Sequence, residues 1–476
     1  MDVAVGSATR EDMQRLLDAQ REAFMKAGAP SVEQRLESLE KLQRILVDNQ
    51  EAFADAINAD FGTRSRLETL QAEIFVTVEA IKHARKHLRG WMKPERRPIN
   101  RLLFGLAKAR VHYQPLGVVG IIAPWNYPVQ LALDPLAAAL AAGNRAMVKP
   151  SEYTPRTAAL MRELIARDFD ETEVAIVTGG PETGQAFSTL RFDHLLYTGS
   201  TKVGRLVMMA AAENMVPVTL ELGGKSPTIL GEDYPVKKAV DSIVGGKWYN
   251  AGQTCIAPDY TFVPDAQLSG FVENMHRKVT EAYPSLGDNP EYTSIVHERH
   301  YDRLRGLLDD AKAKGAEVIE INPKGEHLEN HRKIAPTLLL NVNEDMEVMQ
   351  EEIFGPLLPI MTYKDEQEAI DYVNAHERPL ALYYFSGSAR KQQRMIESTT
   401  SGGVAINETL YHVVQEELPF GGVGPSGTGA YHGWYGFETF SHRKGTFYQA
   451  RFNSAEMLRP PVKPYAIRML KTMIGK

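Results

Sequence analysis

"GVVGIIAPWNYPVQLALDPLAAALAAGNRAMVKP", residues 117–150, decides the fold. It opens on a continuous apolar run, "GVVGIIAP", of the kind that fills a strand buried on both faces of a parallel sheet. A helical stretch, "DPLAAALAAG" (134–143), follows, and then a second strand, "RAMVKP" (145–150). The alternation continues downstream. Helix "TPRTAALMRELIAR" (154–167) opens with Thr154 as N-cap and Pro155 at the first helical position. Strands "EVAIVTG" (173–179) and "DHLLYTGS" (193–200), helix "KVGRLVMMAAAENM" (202–215) and strand "PVTLELGG" (217–224) come next. Repeated strand and helix predict a doubly wound α/β domain.

After Gly224 the pattern restarts with helix "PVKKAVDSIVGGKWYNAG" (235–252), strand "YTFVP" (260–264) and helix "AQLSGFVENMHRKVTEAY" (266–283), which predicts a second α/β domain. Upstream, the first ninety residues read as helices. Ser31 and Gln34 have capping-box spacing, and Leu36, Leu39, Leu42 and Ile45 form one apolar stripe. Asp48 and Glu51 repeat the cap signal, and a third helix covers Glu68 to Trp91. "KPERRPINR" (93–101) reads as a solvated connector, and "LAKARVHYQPLG" (106–117) and "GTFYQARF" (445–452) as strands.

The chain has 476 residues, more than one hydrophobic core usually supports. A net charge of −6 leaves no footprint for nucleic acid. No secretory signal and no membrane-spanning run are visible, and a single cysteine forms no internal disulfide, so a cytoplasmic location is expected. The C-terminal "YAIRMLKTMIGK" sets Met469, Leu470, Met473 and Ile474 on one helical side. That face suits a weak peripheral membrane contact, but docking on its own chain or on a subunit partner is the preferred reading.

The lone thiol, Cys255, sits in "NAGQTCIAPD" (250–259), a turn at the end of a helix. Free cysteines are mostly buried hydrophobes, so local context leaves packing and catalysis both open. An ordinary thiol is about 3% ionised at pH 7, so full activation would gain only roughly 30-fold, about 2 kcal/mol. Gly199 and Gly204 in "YTGSTKVG" stand at a strand-to-helix junction, where free N–H groups suit a pyrophosphate. The formal G-x-G-x-x-G match at Gly422, Gly424 and Gly427 follows no buried strand and contains Pro425. It reads as a loop needing permissive backbone angles. No metal is expected: His297 and His300 open a helix from Ile295 with solvated rings, no third ligand lies nearby, and the other histidines are scattered.

Together, "PWNYP" (124–128), "KPSE" (149–152), "TGSTKVG" (198–204), "LELGGKSP" (220–227), "NAGQTCIAPD" (250–259), "EEIFGP" (351–356) and "LPFGGVGPSG" (418–427) resemble the aldehyde dehydrogenase superfamily in type, order and spacing. "APDY" after the cysteine and "GAYHGWYGFETFSHRK" (429–444) resemble its class 3 branch, which includes bacterial coniferyl-aldehyde-type enzymes; many of that branch have asparagine in place of Pro425. The resemblance implies two doubly wound α/β domains, a Rossmann-like cofactor domain and a catalytic domain, plus a small β bridging element. By residue these are an NAD(P)-binding domain (1–104 and 117–221), a catalytic domain (222–424), bridging strands (105–116 and 425–452) and a tail (453–476).

It also implies chemistry. Cys255 attacks an aldehyde to give a thiohemiacetal and then, after hydride transfer, a thioester. Asn126 and the Cys255 N–H hold the oxyanion. Glu221, which precedes Cys255 by 34 residues (255 − 221), activates the hydrolytic water. Trp125, Lys149, Glu152, Gly199, Ser200, Gly204, Leu222, Gly223, Glu352 and Phe354 bind the cofactor. Glu152 favours NAD, and NADP is also accepted. The implied substrate is an aromatic or medium-to-long-chain aliphatic aldehyde, with Trp248, Tyr249, Tyr411 and His412 as entrance or packing residues, and the implied assembly is a homodimer. A CoA-acylating enzyme, a non-catalytic protein on the same fold and a plain cysteine hydrolase are the competing readings. Glu221, the intact Cys255 and Asn126, and the cofactor motifs respectively argue against them.

Overall fold

The computed structural model describes residues 6–451 and 453–475; readings placed on residues 1–5, on Phe452 and on Lys476 lie outside them. In chain order the strands are β1 (Glu95–Arg97), β2 (Lys108–Pro115), β3 (Val118–Ile122), β4 (Arg145–Lys149), β5 (Val174–Ile176), β6 (His194–Thr198), β7 (Val218–Glu221), β8 (Pro227–Leu230), β9 (Tyr260–Pro264), β10 (Glu317–Glu320), β11 (Thr337–Leu340), β12 (Leu357–Tyr363), β13 (Ala381–Phe385), β14 (Gly403–Ile406), β15 (Gly427–Thr428) and β16 (Ser441–Tyr448).

They make three sheets: β15-β7-β6-β3-β4-β5, β10-β11-β12-β9-β8-β13-β14 and β1-β2-β16. The first is parallel apart from the short β15, and the second is parallel apart from β10. The architecture is the expected one, two mainly parallel sheets and a small antiparallel one. Every residue of β3, β6, β9 and β13 is buried, because helices cover both faces. From β3 the chain steps outward to β4 and β5, then crosses back to place β6 on the other side of β3. A crevice for ligands opens beyond the strand ends at such a reversal.

Two helix starts near the site are capped from a distance. The helix after β3 spans Gln130–Ala142, not 134–143, and Pro135 lies inside it. The carboxylate of Glu73 accepts from the N–H groups of Val129 and Gln130, 2.9 Å each, and so begins the helix a turn early. The helix Pro155–Asp168 starts where expected, but Thr154 makes no side-chain cap bond. Asp60 accepts from the N–H groups of Arg156 and Thr157 instead, at 3.0 and 2.9 Å.

Other differences are local. Asp48 ends one helix rather than capping the next, which runs Gln50–Phe61. Within "KPERRPINR", Glu95–Arg97 pair with β2 as an edge strand, whose exposed side chains carry no apolar alternation. β16 begins four residues earlier than "GTFYQARF" and pairs with β2 from Ser441↔Pro115 to Tyr448↔Lys108. The strand-rich segment after Glu317 was not resolved by sequence pattern. The C-terminal helix, Pro464–Ile474, buries only Ala466, so docking on its own chain covers little of its apolar side. No helix among the described residues is long and apolar enough to cross a membrane.

Candidate active site

The segment around Cys255 is a tight turn fixed by its own side chains. The helix Val236–Trp248 ends, and Asn250 and Ala251 both take left-handed angles, φ +51°. Gly252 follows at φ +76°, where a Cβ would stand 2.3 Å from the Gly355 carbonyl oxygen, so only glycine fits. Gln253 locks the turn: Nε2 donates to the carbonyls of Asn250 (3.0 Å) and Ser294 (3.1 Å), and Oε1 accepts from the Val296 N–H (3.0 Å).

The same turn is stitched to the loop after β3. Asn126 Nδ2 donates to the Gln253 carbonyl (3.2 Å), and Asn250 Nδ2 donates to the carbonyls of Asn126 (3.1 Å) and Gln253 (3.0 Å). Tyr127 and Thr254 share a hydroxyl hydrogen bond of 2.6 Å. Asn126 and Cys255, 129 residues apart (255 − 126), are thus held on one hydrogen-bonded frame.

Cys255 lies where two cavities meet. One, of about 840 Å³, is walled by Trp125, Asn126, Gly199, Ser200, Glu221, Leu222, Gly223, Glu352 and Phe354. The other, of about 600 Å³, is mainly apolar and aromatic, with Tyr127, Tyr249, Tyr411, Val413, Phe420 and Tyr431 in its wall. Cys255 and Leu131 border both.

The electrostatics differ from the simple expectation of an easily activated thiol. Burial, then the carboxyl groups of Glu352 and Glu221, push the Cys255 thiol up to about 12. Ionising it at pH 7 then costs about 7 kcal/mol, at 1.36 kcal/mol per unit, rather than about 2. Glu221 ends β7 fully buried, neither carboxylate oxygen has a hydrogen-bond partner, and burial raises its pKa well above the ordinary value. A carboxylate in that state is a strong proton acceptor.

Along the carboxyl ends of neighbouring strands β7, β6, β3 and β4 stand, in order, Glu221, Gly199 with Ser200, Trp125 with Asn126, and Lys149 with Glu152. Lys149 Nζ donates to Glu152 Oε2 at 2.8 Å; this pair and Gly204 lie outside the wall of the large cavity. Ser200 caps the helix Thr201–Ala212, accepting from Val203 N–H at 3.4 Å. Gly204 faces Leu222, where a Cβ would come within 2.5 Å.

The residues fit a dinucleotide. At Gly223 a Cβ would stand 2.2 Å from the Glu352 carboxylate, so the glycine leaves room for that side chain. Glu352 Oε1 is buried without a partner, as suits an acceptor for ribose hydroxyls, and burial with Asp259 nearby lifts its pKa to about 8. Trp125 and Phe354 meet edge to face at 5.3 Å. The "GVGPSG" segment is a turn, as read: it places β15 beside β7, pairing Gly427 with Glu221, and Pro425 on the cavity wall.

Comparison with protein families matches residues 3–446 to the "Aldehyde dehydrogenase family". The chain belongs to this family. The dehydrogenase is 52% identical to a probable coniferyl aldehyde dehydrogenase of Caulobacter vibrioides, over 94% of each chain. It is 50% identical to the coniferyl aldehyde dehydrogenase of Pseudomonas sp. strain HR199, over 95% of this chain and 94% of that one. Among solved structures, the substrate-bound state of Staphylococcus aureus AldH superposes with a TM-score of 0.91 at 38% identity, over 97% of this chain and 99% of that one. The reaction is the NAD(P)-dependent oxidation of an aldehyde.

Sequence reading of this dehydrogenase missed the support beneath the loops that carry Asn126 and Cys255. Buried Arg64 donates to the Asn126 carbonyl at 3.0 Å. Glu68, 3.7 Å from Arg64, accepts from the Asn250 N–H at 3.0 Å, and Glu73 caps the helix after Asn126. Burial lifts both carboxyl groups to about 7 against the opposing charge of Arg64. A π-helical turn, Leu70–Phe75, interrupts the surrounding helix and carries Glu73. His300 is not solvated: it is buried, and its Nε2 lies 2.8 Å from the Phe354 carbonyl. Trp248 packs, donating to the Pro356 carbonyl at 3.2 Å, whereas Tyr249 and Tyr411 line the apolar cavity and the half-buried His412 does not.

Proposed function

We propose that the dehydrogenase oxidises aldehydes covalently at Cys255, taking the cofactor from the large cavity and the substrate from the apolar one. The observation that carries this reading is that Cys255 borders both cavities. Bound NAD(P) supplies the hydride acceptor, held by Trp125, Gly199, Ser200, Leu222, Gly223, Glu352 and Phe354, with Gly204 shaping the turn and Lys149 and Glu152 on the adenosine ribose. The Glu152 carboxylate favours NAD and tolerates NADP.

The Cys255 thiol gives up its proton to solvent, and its sulfur attacks the carbonyl carbon. The resulting oxyanion is met by Asn126 Nδ2 and the Cys255 N–H. Nδ2 carries two hydrogens, of which the Gln253 carbonyl takes one. After oxidation the carbon is a thioester, and Glu221 takes a proton from the water that hydrolyses it. Asn126→Ala should lower kcat by roughly 10²–10³, the usual loss for one oxyanion donor, in steady-state turnover. An unchanged kcat would remove Asn126 from that role.

An aromatic or medium-to-long aliphatic aldehyde fits the aromatic walls, and the names of the relatives favour a coniferyl-type substrate. The cofactor, catalytic, bridging and tail segments follow the sequence reading except at two edges: β1 (Glu95–Arg97) joins the bridging sheet and β15 (Gly427–Thr428) the sheet of the cofactor domain. A cytoplasmic homodimer that uses the free edge of β16 completes the reading, and light scattering on the eluting protein tests the dimer. The deciding experiment measures NADH and NADPH formation across aldehydes of graded size and aromaticity. Cinnamyl-type and long aliphatic aldehydes should exceed acetaldehyde in kcat/KM by at least roughly 10²-fold, since each buried methylene is worth severalfold. Equal kcat/KM for all would refute the apolar cavity as the substrate site.

A further inference from the structure

His83 and His87 stand one turn apart on the helix Val76–Trp91, which places both rings on one face. Glu417 comes to them from the loop between Tyr411 and Phe420. His83 Nε2 lies 3.1 Å from Glu417 Oε1, but not in hydrogen-bond geometry, and that nitrogen is buried without a hydrogen-bond partner. His87 Nδ1 lies 2.9 Å from the His83 carbonyl. As the N–H donor there, it fixes the tautomer and leaves Nε2 with a free lone pair, the arrangement usual behind a metal-bound histidine.

We propose that His83, His87 and Glu417 form a site for a divalent transition metal of the Zn²⁺ class. Zinc bonds of about 2.0–2.1 Å in a tetrahedron set neighbouring ligand atoms about 3.3 Å apart. The His83–Glu417 separation already matches that edge. One donor atom from each of the three residues lies within 4.8 Å of the others, so the widest gap closes by about 1.5 Å. The Glu417 side chain is 74% exposed and free to make that adjustment, and water completes the fourth position. Two imidazoles and a carboxylate are a donor set that suits zinc.

The surroundings agree. Trp91 stacks beside His87 at 5.9 Å and closes one side with an apolar wall. The loop that carries Glu417 also supplies Tyr411, Val413, Val414 and Phe420 to the apolar cavity. A metal here ties the wall of the proposed substrate cavity to the helix Val76–Trp91, at a distance from the catalytic thiol.

The test is calorimetric titration of Zn²⁺ into the full-length Cys255→Ala chain, which removes the one competing thiol. One Zn²⁺ per chain should bind with a Kd of about 1–10 µM, and His87→Ala and Glu417→Ala, each in that background, should weaken it by roughly 10- to 100-fold. Co²⁺ should give the visible absorption of a tetrahedral site, lost in both variants. Thermal unfolding without metal should match the parent for Glu417→Ala, since its side chain is on the surface. No saturable uptake up to about 100 µM Zn²⁺, or uptake unchanged in both variants, overturns the proposal.

Discussion

Cys255→Ala should abolish aldehyde oxidation, with kcat/KM down by at least roughly 10⁴-fold, while the protein stays folded and binds NAD. Loss of a covalent nucleophile generally costs that much or more. The chain holds no second cysteine that could substitute. The fold should survive because the turn is held by Asn250, Gln253 and Gly252, none of which bonds through the sulfur. The check is steady-state NADH formation beside thermal unfolding and NAD binding on the same sample. Substantial retained turnover would overturn the nucleophile assignment. The raised pKa adds a second readout on the wild-type chain. Without cofactor, alkylation of Cys255 at pH 7 should be slow, and it should rise about tenfold per pH unit toward pH 10, because only the thiolate reacts. A pH-independent fast reaction would show that the thiol is ionised by something other than bulk base.

What could be read from the sequence was what a short window or a motif contains. The buried strands of residues 117–150 announce themselves because both faces are apolar, and the turn of "NAGQTC" because its glycine and asparagine suit left-handed angles. Edge strand β1 was invisible because its side chains face water. The early start of the helix at Gln130 was invisible because its cap, Glu73, lies 57 residues away (130 − 73). The Arg64, Glu68 and Glu73 network is silent in the sequence because charged residues normally read as solvated, and only the three-dimensional packing buries these three. The thiol's environment was misjudged in the same direction. From composition alone one expects a cysteine near its free value, whereas two buried carboxyl groups and desolvation lift it. His83 and His87 are a legible i, i+4 pair, but Glu417 is 330 residues downstream of His87 (417 − 87), so no spacing rule joins them.

Glu221→Gln should separate the two halves of the reaction. A pulse of aldehyde should still yield about one equivalent of NADH per site, after which turnover should stall by roughly 10²–10⁴-fold, the contribution typical of a general base. The burst survives because solvent accepts the thiol proton on the single-turnover time scale, whereas Glu352, the other carboxyl group near Cys255, is assigned to the cofactor ribose. Loss of the burst itself would place Glu221 in the first half, as the obligatory acceptor from Cys255. The pH profile gives the sign. Burial raises the Glu221 pKa, so its base form accumulates as pH rises, and wild-type deacylation should climb through that range; glutamine should flatten the limb. Stability should respond oppositely. A carboxyl group whose folded-state pKa is raised contributes stability below its unfolded pKa and loses it as pH rises through the folded value. Glu221→Gln should therefore match the wild type in Tm at pH 4 and exceed it at pH 8, since the amide has no charge to desolvate. A variant no more stable at pH 8 would mean that Glu221 is solvated or paired in solution, and the case for it as a buried base would fall with that result.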